Sequence, residues 1–440
     1  MKKPVLFPLM LAAIATGVAT AGDTSAPADG KNGFVWKSDV PANCPFGLSK
    51  AISGILFTGK NKTYTGADTW YPSWASDDKL YSPFTDGSVD KVFSESGYNF
   101  DQLKQPVTGF AVIEGADPMT LTITRAGVIE HEPFPYGGEY PCGSLVYNGV
   151  WYYGTYTLDW HKDPWDIMGP FVGFGVSMDH GTTWLPGTRT ALNPLFNESA
   201  KDGRPVQMWK MTEKYEKSEY KTAKPGSKVK IGAPHFVDFG KNMMHSPDGK
   251  AYLVAHGSTR HDSYNSWAAG DQIYLLRVKP NPQTINNPSA YEFYGGRDAN
   301  GQAVWTENFG NIKPILEWRD HMGIVTATYI PALKKYIMCV TNGRGPNNDS
   351  NGPYDTYFLE GSDLTGPWML IAYLKGFGEQ AYFVNLPGKF IGDNGKNLWL
   401  SYSHGWNHQQ ANPPGGKYAW CLQEIKLLEP GDDPATATRP

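Results

Sequence analysis

The sequence lacks the patterns that mark several common functional classes. Its four cysteines, Cys44, Cys142, Cys339 and Cys421, form no CxxC pair, which argues against a zinc site or a thioredoxin-like motif. The formal charge is −4, so no basic surface for nucleic acid is predicted. The ten histidines show neither HExxH nor His-x-His spacing, and no metal site is predicted from them. Few windows have the periodicity of an amphipathic helix.

Long apolar runs are also missing, except for one near the start of the chain. Two lysines precede an apolar run over 5–18, and small residues follow at 19–21. This pattern predicts a secretory signal peptide over 1–21, while no later segment has membrane-spanning length. We expect a flexible leader over 22–33, one domain over 34–428 and a disordered tail over 429–440. In a secreted or periplasmic protein the cysteines could pair in three ways or remain buried thiols.

Aromatic residues, glycine and proline are abundant, which favours many short strands joined by turns over helices. A similar phrase, a turn followed by a short apolar strand, occurs five times, at 76–81, 147–153, 246–255, 333–338 and 392–399. Radial repetition of one small sheet builds a β-propeller. The sequence therefore predicts an all-β, single-domain, five-bladed β-propeller, with a β-sandwich as the alternative.

Two local motifs carry a resemblance to known propellers. Residues 177–184 fit the pattern S-x-D-x-G-x-T-W and resemble the Asp box, a structural hairpin of sialidase-like propellers. Residues 362–368 read S-D-L-T-G-P-W and resemble a strand-end phrase of the five-bladed glycoside hydrolases related to arabinanases, xylosidases and invertases. The resemblance implies a propeller with glycosidase activity. The Asp-Pro opening of the first arabinanase blade is absent, and Ala67, Asp68, Thr69 and Trp70 stand in its place.

Candidate site residues follow from the propeller geometry, because residues at or just before the first strand of each blade face the central funnel. Two carboxyl groups flank the bond that a glycosidase cleaves, and tryptophan rings stack on sugars. The predicted catalytic residues are Asp68, His235, Asp320 and Glu379. The predicted substrate-binding residues are Trp70, Trp74, Glu139, Asp238, His256, Arg319, His321 and Gln380.

Each candidate also has a purely structural interpretation. Asp68 could cap a turn, Asp320 could only pair with Arg319, Glu139 could serve a local turn, and His235 could be a hydrogen-bonded core residue. Asp86 and Asp248, each followed by glycine, are interpreted as turn residues.

The leading hypothesis is a secreted glycoside hydrolase that acts on a polysaccharide or oligosaccharide as a monomer, without nucleic acid or membrane partners. No cofactor is predicted, and a structural calcium is not specified by the sequence. One alternative is a polysaccharide lyase that cleaves uronic-acid glycans by β-elimination, with residues drawn from His235, His261, Tyr264, Arg277, Arg319 and His321. Another is a non-catalytic carbohydrate-binding propeller.

Overall fold

The computed structural model describes residues 33–97, 102, 104–132, 138–159, 167–196, 230–257, 270–343, 352–405 and 412–433. The predicted signal peptide lies outside these ranges, as do 22–32 of the leader and 434–440 of the tail. Within them, the regular structure is β-strand apart from short 3₁₀ turns at Lys241–Met243, Pro288–Ala290, Phe309–Asn311 and Gly388–Phe390. In the part of the chain that the structure describes, no helix has the length and apolar character needed to cross a membrane.

The strands in chain order are β1 (Phe34–Val35), β2 (Gly54–Thr63), β3 (Ser73–Trp74), β4 (Leu80–Phe84), β5 (Gly87–Val89), β6 (Val92–Ser94), β7 (Val107–Glu114), β8 (Thr122–Glu130), β9 (Glu139–Tyr147), β10 (Val150–Asp159), β11 (Ile167–Ser177), β12 (His235–Phe236), β13 (Ala251–Gly257), β14 (Gln272–Val278), β15 (Tyr291–Arg297), β16 (Ala303–Thr306), β17 (Pro314–Glu317), β18 (Val325–Ile330), β19 (Lys335–Asn342), β20 (Asp355–Gly361), β21 (Met369–Leu374), β22 (Tyr382–Asn385), β23 (Asn397–Ser403) and β24 (Cys421–Leu428).

These strands form five antiparallel sheets, which are the blades of the propeller. Blade 1 has the order β3-β4-β7-β8, with β5 and β6 as an inserted hairpin, and blade 2 has the order β9-β10-β11. Blade 3 runs β12-β13-β14-β15-β16, with β17 also paired to β14, and blade 4 runs β18-β19-β20-β21. Blade 5 has the order β22-β23-β24-β2-β1, so strands from the start of the chain complete the last blade. The predicted five-bladed propeller is confirmed.

Direct contacts join neighbouring blades around the ring. The Tyr153 hydroxyl donates to Gly109 O at 2.7 Å between blades 2 and 1, and Gly143 N donates to Pro234 O at 2.9 Å between blades 2 and 3. Asp238 N donates to Ala327 O at 2.9 Å between blades 3 and 4, and Thr326 Oγ1 donates to Val384 O at 2.8 Å between blades 4 and 5. The ring closes where Trp420 of blade 5 stacks on Trp70 of blade 1, with 5.1 Å between the ring centroids. Residues in or beside the first strands of all five blades line one common cavity, so these strands face the axis of the ring.

The five repeated phrases occupy equivalent places in the blades. Each one forms the turn between the first and second strands of its blade and then enters the second strand. The second strand is apolar on both faces because blades pack against each other on both sides. All seven residues of β13 are buried, as are seven of the eight in β19. The repetition seen in the sequence is thus the repetition of one inner hairpin.

The Asp-box hairpin has the predicted structure. Asp179 accepts hydrogen bonds from the Thr183 amide at 2.8 Å and from the hydroxyls of Thr183 at 2.7 Å and Ser177 at 2.8 Å. These bonds lower the pKa of Asp179 to about 2. Gly181 takes a left-handed conformation, and the Trp184 ring packs 5.4 Å from Trp151. The motif closes a turn of blade 2 and contributes no catalytic group.

Candidate functional site

A cavity of about 240 Å³ lies where blades 1, 2 and 5 meet near the axis. Its lining consists of two aspartates, two threonines and six apolar or tyrosine side chains: Asp68, Thr69, Thr85, Asp86, Tyr140, Tyr156, Leu158, Tyr382, Phe383 and Tyr418. Strand pairing builds this arrangement, because the Asp68 and Thr85 backbones exchange hydrogen bonds of 2.9 and 3.0 Å. We call this space the carboxyl cavity.

Asp68 is a buried carboxyl group with three hydroxyl partners. Thr69 Oγ1 donates to Oδ1 at 2.8 Å, while the Tyr382 and Tyr418 hydroxyls lie 2.8 and 3.2 Å from Oδ2. Burial, followed by the negative charge of Asp86, raises the pKa of Asp68 to about 8, although the three hydroxyls act in the opposite direction. Asp68 is therefore largely protonated at neutral pH.

Asp86 is the second carboxyl group of the cavity. Its Oδ1 accepts the Ser96 amide at 2.8 Å and lies 3.3 Å from Thr85 Oγ1. Burial raises the pKa of Asp86 to about 6, with the Ser96 and Thr85 hydrogen bonds opposing the rise. At neutral pH Asp86 is mostly ionised while Asp68 keeps its proton. One cavity thus holds both a proton donor and a carboxylate.

The sequence interpretation missed Asp86, because Asp followed by Gly was assigned to a turn. Asp86 does adopt the left-handed conformation of such a turn, with φ of 48°. The register of the hairpin formed by β3 and β4 could have indicated that Asp86 lies near Asp68. Ser73 pairs with Tyr81, and continuing that pairing away from the turn brings position 86 opposite Asp68. The observed register shifts by one residue and places Thr85 opposite Asp68.

His235 lies on the axis, in a second and smaller cavity of about 50 Å³ lined by the first strands of all five blades. Its ring contacts Tyr71 at 3.9 Å between centroids. Burial, and then the neighbouring His256, holds the pKa of His235 well below its ordinary value, so the imidazole is neutral. His256 is fully buried, and its Nε2 accepts a hydrogen bond from the Ala233 amide at 3.1 Å. We call this second space the axial cavity.

Asp238 also lines the axial cavity, where it joins blades 3, 4 and 5. Its carboxylate accepts the Gly388 amide at 2.6 Å and the Gly240 amide at 2.8 Å, and its own amide bonds to Ala327. Burial raises the pKa of Asp238 in spite of these bonds. These contacts give Asp238 a structural role at a joint of the ring.

The two tryptophans predicted to stack on sugar have other surroundings. Trp70 is 1% exposed and lies between the parallel rings of Phe84 and Trp420, so it has no free face for a ligand. Trp74 lies in the lining of the axial cavity, where its Nε1 donates to Asp78 at 2.9 Å. Core packing covers both faces of the Trp70 ring, so the structure shows no surface of Trp70 on which a sugar could stack.

Glu139 is buried in an ion pair rather than in the carboxyl cavity. Its Oε1 lies 3.1 Å from His131 Nδ1 and accepts the Thr155 hydroxyl at 2.6 Å. Burial alone would raise the pKa of Glu139, but the His131 charge and these hydrogen bonds outweigh it and lower the pKa. Successive strand residues point to opposite faces, so the next residue, Tyr140, lines the cavity instead.

Replacing Glu139 by Gln is expected to destabilise the protein by about 2 kcal/mol, because it removes the charged acceptor of the hydrogen bonds from His131 and Thr155. The loss should shrink as the pH falls through the pKa of Glu139, since a protonated Glu139 no longer forms the ion pair in the unmodified protein either. Urea unfolding of both proteins at several pH values measures this. Equal stability of the two proteins at neutral pH would contradict the structural role of the pair.

Arg319, Asp320 and His321 lie together on the turn between β17 and β18. The Arg319 and Asp320 side chains are 75% and 43% exposed and approach to 3.6 Å, while the His321 ring stacks on Trp318 at 4.0 Å. None of the three lines either cavity on the axis. Because the turn that carries them faces solvent, Asp320 does not share a cavity with Asp68.

Glu379 and Gln380 precede β22, but they also lie apart from Asp68. Glu379 lines a surface groove between blade 4 and the N-terminal segment, together with Asp355 and Tyr373. Gln380 is fully buried and packs closely against Gly405. Of the four predicted catalytic residues, only Asp68 lines the carboxyl cavity.

The lyase candidates that the structure describes are not assembled in one place. Arg277 lies on an outer part of blade 3, where its guanidinium covers the Trp305 ring at 3.8 Å and pairs with Glu292 at 3.0 Å and Asp248 at 3.3 Å. His261 and Tyr264 lie outside the described residues. All four cysteines are free thiols, and the described residues contain no group of three His, Cys, Asp or Glu side chains placed to hold a metal ion.

No protein-family model and no curated protein sequence matches this chain. Solved structures similar to it include a family 117 glycoside hydrolase from Zobellia galactanivorans, at 12% identity over 85% of this chain and 92% of that one, with a TM-score of 0.44. An α-L-arabinofuranosidase from Podospora anserina, solved with cellotriose, is 11% identical over 87% and 98% of the two chains, with a TM-score of 0.37. An N-acetylgalactosamine deacetylase from F. plautii is 12% identical over 88% and 94%, with a TM-score of 0.39. Similarity at this level says nothing about the reaction, and the propeller assignment rests on the five sheets described above.

Proposed function

We propose that this chain is a glycoside hydrolase whose reacting groups are Asp68 and Asp86. The observation that carries the proposal is that the buried Asp68 and the half-buried Asp86 both line the carboxyl cavity, with pKa values raised to about 8 and about 6. Glycosidic cleavage needs one carboxylic acid to protonate the leaving oxygen and one carboxylate to attack or to activate water. Asp68 supplies the first group and Asp86 the second at neutral pH.

The rest of the lining suits a sugar ring. The tyrosines at 140, 156, 382 and 418, together with Phe383, offer aromatic surface and hydroxyl groups around the two acids. The Tyr382 and Tyr418 hydroxyls already contact Asp68 Oδ2, so they orient the carboxyl group that delivers the proton. The proposed reaction needs no cofactor, because protein side chains supply both proton transfer and nucleophilic help.

The proposed setting is outside the cytoplasm, as the N-terminal sequence pattern suggests, with a polysaccharide or oligosaccharide as substrate and the chain acting as a monomer. A panel of plant and algal polysaccharides and aryl glycosides tests the assignment, with reducing ends and ultraviolet absorbance read from the same reactions. New reducing ends without an unsaturated product support hydrolysis. An unsaturated uronate product would instead identify a lyase, and retention of a glycan without any product would identify a binding module.

A further inference from the structure

The hydroxyl of Tyr418 lies between the two acids of the carboxyl cavity. It is 2.8 Å from the backbone carbonyl oxygen of Asp86 and 3.2 Å from Oδ2 of Asp68. Tyr418 belongs to the segment that leads into β24 of blade 5, whereas the two acids flank the inner hairpin of blade 1. One side chain thus crosses the seam between these blades and contacts the backbone of one acid and the carboxyl group of the other.

The backbone that carries Tyr418 is fixed by the residue two positions later, Trp420. The Tyr64 amide donates to Trp420 O and the Trp420 amide donates to Thr65 O, both at 3.0 Å. The Trp420 ring stacks on Trp70 of blade 1 with 5.1 Å between the centroids. The Tyr418 ring therefore reaches the two acids from a backbone that is held at the closure of the propeller.

The Tyr418 hydroxyl carries one proton, which cannot be given to both neighbours at once. A backbone carbonyl oxygen can only accept a hydrogen bond, and the contact to Asp86 O is the shorter of the two. The Tyr418 proton therefore points to Asp86 O while Asp68 is protonated. The Tyr418 oxygen then accepts a hydrogen bond from the protonated Oδ2 of Asp68.

The other partners of Asp68 agree with this arrangement. Thr69 Oγ1 donates to Oδ1 and the Tyr382 hydroxyl donates to Oδ2, each at 2.8 Å. Oδ2 can accept from Tyr382 and still carry the acid proton, which it donates to Tyr418. These groups form one directed chain of hydrogen bonds, from Tyr382 through Asp68 and Tyr418 to Asp86 O, and the hydrogen bonds in such a chain strengthen one another.

Loss of the Asp68 proton breaks this chain. Oδ2 then only accepts, and a lone pair of the Tyr418 oxygen would face the carboxylate with no proton between them. A charged acceptor forms a stronger hydrogen bond than a neutral carbonyl does, so the Tyr418 proton turns from Asp86 O to Asp68 Oδ2. Tyr418 itself does not ionise, because burial, and then the charges of Asp68 and Asp86, raise its pKa far above the ordinary value.

We propose that Tyr418 is a positioning residue with a two-position hydroxyl, which bonds to the backbone of Asp86 while Asp68 is protonated and to the Asp68 carboxylate once that proton has left. This inference rests on the proposed function, in which Asp68 protonates the leaving oxygen. The acid proton is held on Oδ2 before the transfer, and the new carboxylate gains the Tyr418 hydrogen bond after it. Tyr418 keeps its own proton and takes part in no covalent step.

A test must separate the titration of Asp68 from that of its neighbours. Asp86 titrates near 6 and Asp68 near 8, as their raised pKa values indicate, so the two events fall at different pH. The other titratable groups that interact with these acids or with the Tyr418 hydroxyl are Tyr71, Glu95, Tyr140 and Tyr382. Burial raises the pKa of both Tyr71 and Tyr382 well above the ordinary value, so both stay neutral over this range.

Carbon-13 NMR of protein labelled at the backbone carbonyl and side-chain carboxyl carbons of aspartate tests the inference without any substrate. The Asp86 carbonyl signal, assigned by its loss in Asp86→Asn, should show a step at the midpoint of the Asp68 carboxyl group, because the Tyr418 hydrogen bond leaves that carbonyl. This step should vanish in Asp68→Asn and lose most of its size in Tyr418→Phe. Tyr382→Phe is the matched control, since it removes the other hydroxyl on Oδ2 and leaves the Tyr418 bond to Asp86 O in place. The step should remain in this control.

The midpoint of Asp68 gives a second readout from the same spectra. Tyr382→Phe should raise this midpoint by about one pH unit, the equivalent of one lost hydrogen bond to a charged group. Tyr418→Phe should raise it by less, because ionised Asp68 gains the Tyr418 bond only when the bond to Asp86 O is given up. A larger rise in Tyr418→Phe than in Tyr382→Phe would contradict the two-position hydroxyl.

A carbonyl step of unchanged size in folded Tyr418→Phe would overturn the inference, as would the absence of a step in the unmodified protein. Should Tyr418→Phe fail to fold, the unmodified protein and Asp68→Asn still decide, since a step that persists in Asp68→Asn would contradict the link. Cleavage of a glycan that depends on Asp68 and Asp86 but comes without the step would overturn this inference alone. The expected step in a protein that cleaves no glycan would refute the proposed function and leave the Tyr418 link intact.

Discussion

Replacing Asp86 or Asp68 by Asn is expected to lower turnover by about 10³-fold, the usual contribution of a general acid or base. Asn keeps the size of Asp, accepts the Ser96 amide as Asp86 does, and tolerates the left-handed conformation found at position 86. The loss should therefore come from chemistry and not from misfolding. Rates on the best substrate of the glycan panel measure the loss of turnover, and melting temperatures show whether the variants remain folded.

Asp320→Asn is the matched control, because Asp320 also has a positive φ but lies on an exposed turn away from the cavity. Its rate should stay within about twofold of the unmodified protein, as is usual for surface substitutions far from a site. Should Asp320→Asn abolish turnover while Asp86→Asn leaves it intact, the carboxyl pair would have to be reassigned to the residues first expected from the sequence.

Replacing Trp70 by Ala is expected to destabilise the protein by about 3–5 kcal/mol, as for other large aromatic side chains removed from a core. The Trp70 ring is sandwiched between Phe84 of blade 1 and Trp420, and its Nε1 donates to Ala67 O at 2.8 Å. The substitution therefore opens a cavity at the seam where blade 5 meets blade 1. The shift in urea midpoint at constant slope gives the free energy change.

Trp74→Ala serves as the comparison, since Trp74 is only partly buried and its Nε1 hydrogen bond lies at the surface. It should cost about 1 kcal/mol, chiefly through the lost hydrogen bond to Asp78. A folded Trp70→Ala protein of normal stability that binds glycan poorly would restore Trp70 as a sugar platform and contradict its placement in the core.

The repeated inner hairpins could be predicted from the sequence because their signal is local. Each of the five turn phrases stands at the start of the second strand of its blade. The first strand of blade 3 ends at Phe236, because the Asp238 amide leaves β13 and bonds to Ala327 O in blade 4. The closure of blade 5 by β2 joins segments at opposite ends of the chain, and alternation within a segment does not reveal its partner.

The site was only partly predictable for a related reason. Position relative to the first strand of a blade selected Asp68, which lines the carboxyl cavity, but the same rule selected Asp320, Glu379 and Glu139, which do not line it. One residue of offset in a strand reverses the direction of a side chain, as Glu139 and Tyr140 show. Asp86 escaped notice because its turn conformation is real, and its second role depends on pairing across the hairpin to Asp68.

The most direct test of the account is a pH titration of the Asp68 and Asp86 carboxyl groups by ¹³C NMR in the unmodified protein. We expect the pair to lose its two protons with apparent midpoints near 6 and 8, and we expect Asp86→Asn to lower the midpoint of Asp68 by removing the neighbouring charge. Two independent midpoints near the ordinary aspartate value of about 4 would contradict it, because both groups would then be ionised at neutral pH and no acid would remain to protonate a leaving oxygen.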